Sequence, residues 1–335
     1  MPADLGIGFI GLRMGSSQLR QVAASKGARI AAVCDLDEAH VANLGREFGV
    51  PLATTDYREL VAHPEVDIVS VATPDDLHLE QTLAAFENGK HVMVEKPMAR
   101  TVEECEQMIA AQRSAGKHMM VAHVARYYGL FQQAKRWCED GTLGDPYHIY
   151  TSYIHNYEQI PGYNGWRFDP ERRHQLIGGG CHALDLSRYI GGEVAEVHCY
   201  ANHANIPVLK TDDHFNINLK YESGAVGHAT GSFGCSRPYA IDLQVWGTKG
   251  TLIANNVDSS AKLCLRQTDR NRWMDFPSGP AAKGLAAEFQ ALIDAIHSDE
   301  PPESDGVSGA RTVALGWAAI TSANEGRPVE PKRDF

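Results

Sequence analysis

Short apolar runs alternate with helix-forming segments along the N-terminal part of the chain. The predicted strands are Leu5–Ile10, Ile30–Cys34, Asp67–Thr73, His91–Val94 and His118–Ala122. The segments between them predict helices; one spans Glu38–Phe48, and another begins with the capping box Thr101-Val-Glu-Glu104 and ends at Gly116. Continuous apolar strands separated by helices are typical of a parallel sheet covered on both faces. Right-handed crossovers then favour a doubly wound, Rossmann-type α/β domain.

The pattern changes after Gly144, where strands follow one another without helices between them. These strands are Tyr147–Tyr157, Val194–Ala204, His214–Tyr221, Ala225–Phe233 and Tyr239–Trp246. Leu285–His297 and Gly309–Asn324 predict closing helices, and Pro301–Gly306 predicts a surface loop. We therefore expect two domains, 1–122 and 123–335. The second is an α+β domain with an open, mostly antiparallel sheet, and the C-terminal helix can pack back on the first domain.

Composition and charge narrow the class of protein. The chain has 335 residues, of which 43% are hydrophobic, and a formal net charge of −11. This acidic balance disfavours nucleic acid and anionic membranes as partners. No apolar stretch is long enough to span a membrane, and the N-terminus lacks the pattern of a signal peptide. Seven scattered cysteines without a Cys-x-x-Cys pair favour reduced thiols and a cytoplasmic location.

A glycine-rich stretch follows the first predicted strand. Gly6-Ile-Gly-Phe-Ile-Gly11 matches G-x-G-x-x-G, but that register leaves too few residues for a strand before Gly6. With the strand at Leu5–Ile10, the loop becomes Gly11-Leu-Arg-Met-Gly15-Ser16. This loop has Arg13 where the second glycine normally stands, and Gly15 comes one residue early. A nucleotide-binding loop and a generic turn both fit it.

Asp35 ends the second predicted strand and strengthens the nucleotide interpretation. An acid at this place accepts the ribose hydroxyls of an adenosine and repels a 2′-phosphate, which favours NAD over NADP. The alternative is that Asp35 only caps the helix that begins near Asp37. Methyltransferases that bind an adenosyl cofactor share this pattern as well.

Two further segments carry a family resemblance. Ala72-Thr-Pro-Asp-Asp-Leu-His78 is followed by Asn88-Gly-Lys-His-Val-Met-Val-Glu95-Lys96-Pro97. Together with Trp166-Arg167 and Gly178-Gly-Gly-Cys-His182-Ala-Leu-Asp185, they resemble the Gfo/Idh/MocA family of glucose–fructose oxidoreductases, inositol dehydrogenases and rhizopine-catabolism proteins. Glu-Lys-Pro after a short strand is the most specific part of this resemblance, which covers essentially the whole chain.

The resemblance implies a function and a set of site residues. It implies an N-terminal dinucleotide-binding domain, a C-terminal domain for substrate binding and oligomerisation, and a homodimer or homotetramer. The reaction would move a hydride between NAD and a secondary alcohol carbon of a sugar, cyclitol or polyol. The implied catalytic residues are Lys96 and His182. The implied cofactor-binding residues are Gly11, Leu12, Arg13, Met14, Asp35, Thr73, Pro74, His78, Glu95, Lys96, Trp166 and Arg167.

Two positions depart from the family pattern. An aspartate usually stands four residues before the catalytic histidine, but here that position is Gly178. An asparagine often precedes the arginine of the interdomain helix, but His123-Val-Ala-Arg126 contains none. The first departure affects the proton-transfer arrangement, and the second affects the contacts to nicotinamide.

The chemistry of the candidate residues fits alcohol oxidation, which needs a proton acceptor on oxygen while hydride leaves carbon. The histidine reference pKa of about 6.5 suits His182 for this role. Lys96 can polarise the oxygen as a cation, or act as base if its pKa is depressed. The glycines before His182 predict a close backbone approach to a ligand and free N–H groups at the start of a helix. Asp185 either orients His182 or is structural.

Several other groups have open interpretations. Arg167, Arg172, Arg173 and His174 form a basic segment that either contacts a hydroxyl- or carboxylate-bearing substrate or lies on the surface. The aromatic residues of Tyr153–Trp166 either line a sugar site or pack in the core. The spacing of histidines and cysteines predicts no metal.

Two other functions compete with the dehydrogenase. One is a glycosidase in which bound NAD transiently oxidises the sugar before elimination. It would retain NAD through purification without net turnover of nicotinamide. The other is a non-catalytic NAD-binding homologue, which Gly178 suggests. It would bind NAD tightly and oxidise no polyol.

Overall fold

A computed structural model describes residues 4–23, 27–160, 165–258, 260–266, 272–277 and 284–335. The chain forms two compact units. The first comprises 1–122, 285–310 and Phe335, and the second comprises 123–284 and 311–334. Residues 285–310 thus group with the N-terminal part, whereas the sequence-based division assigned them to the second domain. That division, 1–122 and 123–335, stays a prediction.

The first unit contains the predicted parallel sheet, with six strands where the sequence analysis named five. Its strands are β1 (Leu5–Ile10), β2 (Ala28–Cys34), β3 (Leu52–Thr54), β4 (Ile68–Val71), β5 (His91–Glu95) and β6 (Met119–Ala122). The strand order is β3-β2-β1-β4-β5-β6, and all pairs are parallel. This is the order of a doubly wound dinucleotide-binding fold, which reverses direction between β1 and β4.

Helices connect these strands. They are α1 (Leu12–Val22), α2 (Glu38–Phe48), α3 (Tyr57–Ala62), α4 (His78–Glu87) and α5 (Val102–Ala115). Local capping explains the predicted bounds of α5, because the Thr101 side chain accepts from the Glu104 N–H and Gly116 ends the helix in a left-handed conformation. The sequence analysis missed β3 and α3, which are too short for a clear periodicity.

Pro301–Gly306 is not a plain surface loop, as the sequence analysis expected. Ser304 is fully buried beside β6. Its hydroxyl donates to the Val121 carbonyl over 2.8 Å, and the Val121 N–H donates to the Ser304 carbonyl over 2.8 Å. The segment therefore satisfies the backbone of the edge strand β6.

The second unit contains an eight-stranded sheet. Its strands are β7 (Pro146–Ile154), β8 (Val194–Asn202), β9 (His214–Tyr221), β10 (Val226–Ser232), β11 (Ala240–Gly247), β12 (Gly250–Asn255), β13 (Ser260–Leu265) and β14 (Met274–Pro277). The order is β14-β13-β12-β11-β7-β10-β9-β8, and β7–β10 is its parallel pair. The expectation of a mostly antiparallel sheet is confirmed. The sequence analysis did not identify β12, β13 or β14.

Four further α-helices lie in the described part of the chain. They are α6 (Gly129–Glu139), α7 (Cys181–Gly191), α8 (Leu285–Ser298) and α9 (Gly306–Glu325). A π-helical turn, Leu176–Gly180, runs directly into α7, which packs on β7 and β10 of the sheet. Among the described residues, no helix is both long and apolar enough to cross a membrane. All seven cysteines are free thiols.

Candidate functional site

The predicted cofactor residues of the first unit lie at one edge of its sheet. Gly11 follows β1, Asp35 follows β2, Thr73 comes shortly after β4, and Glu95 ends β5, with Lys96 next. Carboxyl ends of neighbouring parallel strands share an edge, and ligands bind there at the point where strand order reverses. The fold therefore brings these residues together although they span much of the first unit.

Gly11 forms the turn between β1 and α1. Its φ is +87°, and a β-carbon there would lie 2.6 Å from the Ala72 carbonyl oxygen, so only glycine fits. The helix begins at Leu12, so the expectation of a loop running to Ser16 is wrong. Arg13 and Met14 are exposed in the first turn, which holds no acidic residue. The positive end of the α1 dipole can thus receive an anion.

The half-buried Asp35 carboxylate is held by two backbone N–H groups. Oδ2 accepts from Leu12 over 2.6 Å, and Oδ1 accepts from Asp37 over 3.1 Å. The cap of α2 is Asp37, whose carboxylate accepts from the His40 N–H. The interpretation of Asp35 as the helix cap is therefore wrong. Both oxygens keep acceptor capacity beyond these bonds.

A buried polar chain supports the Glu-Lys-Pro segment. Gln18 on α1 donates to Glu95 Oε1 over 2.8 Å and accepts from the Ser70 hydroxyl over 2.8 Å. The other Glu95 oxygen accepts from the Lys96 N–H at 3.2 Å, and Lys96 is half-buried. Sequence reasoning missed Gln18; the available signal was a glutamine on the otherwise apolar buried stripe of α1.

His78 contacts the segments that follow β4 and β5. It is fully buried, and its ring nitrogens lie 2.9 Å from the Pro97 carbonyl oxygen and 3.0 Å from the Thr73 carbonyl oxygen. Both acceptors are carbonyls, so the imidazolium can donate to both and the neutral ring to one. Its ring thus links the chain after β4 with the Lys96–Pro97 bond, which is cis.

Thr73 and Pro74 themselves are half-buried at this edge. The Thr73 hydroxyl donates to Gln81 Oε1 on α4 over 2.7 Å. This contact fixes the loop that follows β4.

His182 lies in the first turn of α7 in the second unit and is 5% exposed. Its ring stacks on Tyr153 at the end of β7, with centroids 5.2 Å apart and planes 20° from parallel. The Tyr153 hydroxyl lies 3.0 Å from His155 Nδ1. This stacking fixes the orientation of the imidazole. Sequence reasoning named the Tyr153–Trp166 region but did not pair Tyr153 with His182.

The glycines before His182 accommodate side chains of this chain. A β-carbon on Gly179 would lie 2.1 Å from the Tyr157 hydroxyl, and one on Gly180 would lie 2.5 Å from Leu176 Cδ1. The π-helical turn continues into α7, and the Gly178 N–H donates to the His174 carbonyl over 2.8 Å. The expected free N–H groups at a helix start are therefore not found there.

Asp185 forms a buried ion pair with Arg126. The guanidinium donates to both carboxylate oxygens, over 2.8 and 2.6 Å, and the Thr312 hydroxyl donates over 3.0 Å. Burial alone would raise the Asp185 pKa, but Arg126, His123 and Arg188 hold it well below its usual range. The sequence left two roles open for Asp185, orienting His182 or stabilising the structure, and these contacts support the structural role. They also place His123 and Arg126 in the core of the second unit.

Trp166 and Arg167 form a short 3-10 turn with Phe168 in the second unit. The Arg167 guanidinium lies 4.5 Å from the Trp166 ring centroid, and the Arg167 carbonyl accepts from Gln175 Nε2 over 2.7 Å. Tyr163, a member of the aromatic segment proposed as a sugar-site lining, lies outside the described residues. Over the described part of the chain, no group of three or more His, Cys, Asp or Glu side chains is arranged to hold a metal.

Two family models match this chain. Residues 5–123 match the NAD-binding Rossmann fold of the Gfo/Idh/MocA oxidoreductase family, and residues 131–253 match the C-terminal domain of that family.

Curated proteins and solved structures resemble it over most of its length. A 1,5-anhydro-D-fructose reductase of Ensifer adhaerens is 30% identical over 85% of this chain and 85% of its own. A myo-inositol 2-dehydrogenase of Thermotoga maritima is 28% identical over 97% of this chain and 98% of its own. A levoglucosan dehydrogenase solved in complex with NADH superposes with a TM-score of 0.91 at 23% identity, over 98% of this chain and 100% of that one.

Proposed function

This chain belongs to the Gfo/Idh/MocA oxidoreductase family, and we propose that it transfers a hydride between NAD and a secondary alcohol carbon of a sugar, cyclitol or related polyol. The observation that carries the proposal is the convergence of Gly11, Asp35 and the Glu95–Lys96 pair at the carboxyl edge of one parallel sheet. The reductase and inositol dehydrogenase named above act on substrates of this class.

The residues at this edge fit a dinucleotide. A nicotinamide cofactor supplies the hydride acceptor or donor when it is bound. The glycine turn at Gly11 and the N-terminus of α1 are suited to a diphosphate, with Leu12, Arg13 and Met14 in the first helical turn. Thr73, Pro74 and Glu95 line the same edge, and His78 acts through the chain it supports.

We propose NAD rather than NADP because of Asp35. Its two oxygens are oriented by backbone N–H groups, and a carboxylate so placed accepts two ribose hydroxyls. A 2′-phosphate at this place would meet the same negative charge, and repulsion between like charges would weaken its binding.

Lys96 and His182 are the proposed catalytic residues. The Lys96 ammonium stabilises negative charge that develops on the substrate oxygen, and the backbone contact to Glu95 holds the residue in place. His182 accepts the hydroxyl proton at a ring nitrogen, and its stacking on Tyr153 sets the direction of the imidazole. Trp166 and Arg167 are proposed to lie at the nicotinamide end.

We also infer a homodimer or homotetramer that forms through the open face of the eight-stranded sheet. Large apolar side chains are exposed on the face opposite α7; they include Tyr200 (64% exposed), Val226 (54%) and Trp246 (39%). A face of this kind is typical of a surface that another subunit covers. Sedimentation of Trp246→Glu beside the unaltered protein tests this inference.

The free state of all seven thiols fits the proposed cytoplasmic location.

One experiment tests the function. Sugars, cyclitols and sugar acids are screened with NAD and with NADP separately, and the absorbance of reduced nicotinamide is followed. We expect substrate-dependent reduction that is faster with NAD. Tight NAD binding without any turnover would favour the non-catalytic homologue. Retained NAD with glycoside cleavage and no net reduction would favour the redox-assisted glycosidase.

A further inference from the structure

Two histidines lie on neighbouring strands in the interior of the eight-stranded sheet, on its open face. His148 is on β7 and His228 is on β10, with two strands on one side of this pair and four on the other. Their strand neighbours Ile149 and Ala229 are fully buried on the face that packs on α7, so the two imidazoles point to the opposite face. Both histidines are half-buried in the single chain.

Neutral side chains hold the two rings in place. The His228 ring stacks on Tyr150, with centroids 5.9 Å apart and planes 6° from parallel, and its Nε2 lies 2.8 Å from Asn216 Oδ1. The His148 ring lies against Trp246, with centroids 4.4 Å apart. Both imidazoles are therefore fixed within the surface that a second subunit would cover.

Protonation of either ring is opposed on this face. Burial lowers the pKa of both histidines below the usual 6.5, and positive charge on His148 and His214 lowers that of His228 further. Among the residues that the structure describes, no carboxylate contacts His148 or His228. The other charged or histidine side chains on the described strands of this face are Glu196, His198, Lys220, Asp242, Lys262 and Asp275.

The fixed charges of the open face cancel. Each carboxylate stands beside a cation, in the pairs Glu196 with Lys220, Asp275 with Lys262 and Asp242 with Arg237. The chain as a whole carries a charge of −11, so two copies repel each other at most approaches. This balanced face is one through which they can meet.

The face also has the size and composition for a second copy. The six strands from β12 to β8 in sheet order, at about 4.8 Å spacing and about seven residues of about 3.4 Å each, cover on the order of 700 Å². A stable interface covers about 800 Å² on each partner. Imidazole, amide and phenol groups both donate and accept hydrogen bonds, so a patch made of them can pair with its own copy across a two-fold axis.

We propose that a second copy of this chain covers the open face only while His148 and His228 are neutral, so that acid dissociates the oligomer. A covered imidazole loses the water that would solvate its charge, and burying an unpaired charge costs more than burying the neutral ring. This inference rests on the oligomer proposed above and adds the condition under which it forms. It does not depend on the dehydrogenase reaction.

The pH dependence has a definite sign. Covering the face lowers the pKa of both histidines further, so protons are released when two copies join. The Kd of the oligomer is therefore constant well above pH 6.5 and rises as the pH falls below that value. With two such rings in each copy, we expect Kd to rise about tenfold or more between about pH 8 and about pH 5.5.

Sedimentation velocity over a concentration series measures Kd at both pH values, and circular dichroism checks that the chain stays folded. In the double variant His148→Gln/His228→Gln the side chains still form hydrogen bonds but take up no proton, so we expect most of the pH dependence to disappear. His297→Gln is the matched control, because His297 is exposed on α8 in the first unit. It should keep the full pH dependence.

A fixed charge tests the same inference without acid. His228→Lys carries a positive charge at pH 8, so its Kd at that pH should be at least about tenfold higher than that of the unaltered protein. His228→Gln should leave Kd at pH 8 close to normal. A thermal melt checks that each variant is folded, and His148→Lys replaces His228→Lys if the latter does not fold. These lysine variants also decide the matter if the unaltered chain unfolds at pH 5.5.

Three results would overturn the proposal. They are a monomer at pH 8, an oligomer whose Kd is the same at both pH values, and lysine variants that associate as tightly as the unaltered protein at pH 8. Equal acid sensitivity of the double glutamine variant would also remove His148 and His228 from the mechanism. The monomer would reject the oligomer proposed above as well, whereas the other results leave it standing. Hydride transfer is tested separately by the nicotinamide screen.

Discussion

The Leu12 N–H donates a 2.6 Å hydrogen bond to Asp35 Oδ2, which ties the first residue of α1 to the residue after β2. The two residues are 23 positions apart in the chain, and parallel pairing of β1 with β2 brings them together. The contact fixes the carboxylate beside the turn at Gly11. The Asp35 carboxylate, which is proposed to favour NAD over NADP, is therefore held by the same turn that is proposed to bind the diphosphate of the cofactor.

Asp35→Ser should weaken NAD use and relieve the discrimination against NADP, because the repulsion of a 2′-phosphate disappears. We expect the ratio of kcat/KM for NAD to that for NADP to fall by at least about tenfold, or about 1.4 kcal/mol. Asp37→Ser is the matched control, since serine still caps α2 and the lost acid does not contact Leu12. An unaltered protein that prefers NADP tenfold would contradict the role of Asp35.

Lys96→Met should lower turnover about a hundredfold while NADH binding, measured by fluorescence titration, persists. Methionine keeps much of the apolar stem but cannot stabilise negative charge on the substrate oxygen or pass on a proton. Lys90→Met is a suitable control, because Lys90 lies at the end of β5 opposite to Lys96 and its ammonium donates to the His63 carbonyl. Turnover close to normal in Lys96→Met would reject the assignment.

His182→Ala should lower turnover strongly and alter the pH dependence of the rate, because the proton acceptor is gone. Tyr153→Leu should change the turnover and its pH dependence less, since it removes the ring that stacks on His182 but keeps the base. His198→Ala on β8 serves as a control. Initial rates across pH decide the matter, and an unchanged rate and profile in His182→Ala would refute the role.

Asp185→Asn should destabilise the protein by about 3 to 5 kcal/mol, because it leaves the buried Arg126 cation without its charge partner. Combining it with Arg126→Met should recover part of this loss. The folded-state pKa of Asp185 is depressed, so its stabilisation is present above the unfolded carboxyl pKa of about 3.9 and is lost as the pH falls further. Urea unfolding measures these differences. A loss below about 1 kcal/mol, the scale of an exposed pair, would show that the pair is not buried in solution.

His174 should make stability fall as the medium is acidified. Burial lowers the pKa of His174 from 6.5 to about 4, and its Nδ1 accepts from the Leu176 N–H over 3.2 Å. The unfolded chain binds a proton between these two values and the folded protein does not, so stability declines as the pH falls from 6.5 to about 4. His174→Asn keeps an acceptor without this titration. Thermal melts over this range should show a shallower decline in the variant, and parallel curves would contradict the prediction.

Much of the first unit follows from the sequence alone. Apolar runs, glycines and capping residues act within a few positions of one another, so β1, α2 and α5 have the predicted bounds. Strand alternation with helices then implies parallel order. That order puts the residues after β1, β2, β4 and β5 at one edge of the sheet, so the sequence alone could assign the proposed cofactor residues of this unit to that edge.

Only the tertiary structure decided how the side chains are used. The Gln18–Glu95 contact and the Ser304–Val121 pairing join residues distant in the chain, and no local pattern encodes them. Even Arg173 and Gly178, five positions apart, were separate observations in the sequence, one a basic residue and the other a missing aspartate, whereas in the structure the Arg173 guanidinium fills the space beside Gly178. Their meaning depends on which volume the packed core leaves open. The hydrophobic periodicity that predicts strands and helices is a local property of the sequence. The position of the buried Arg173 guanidinium depends instead on all the residues that pack around it.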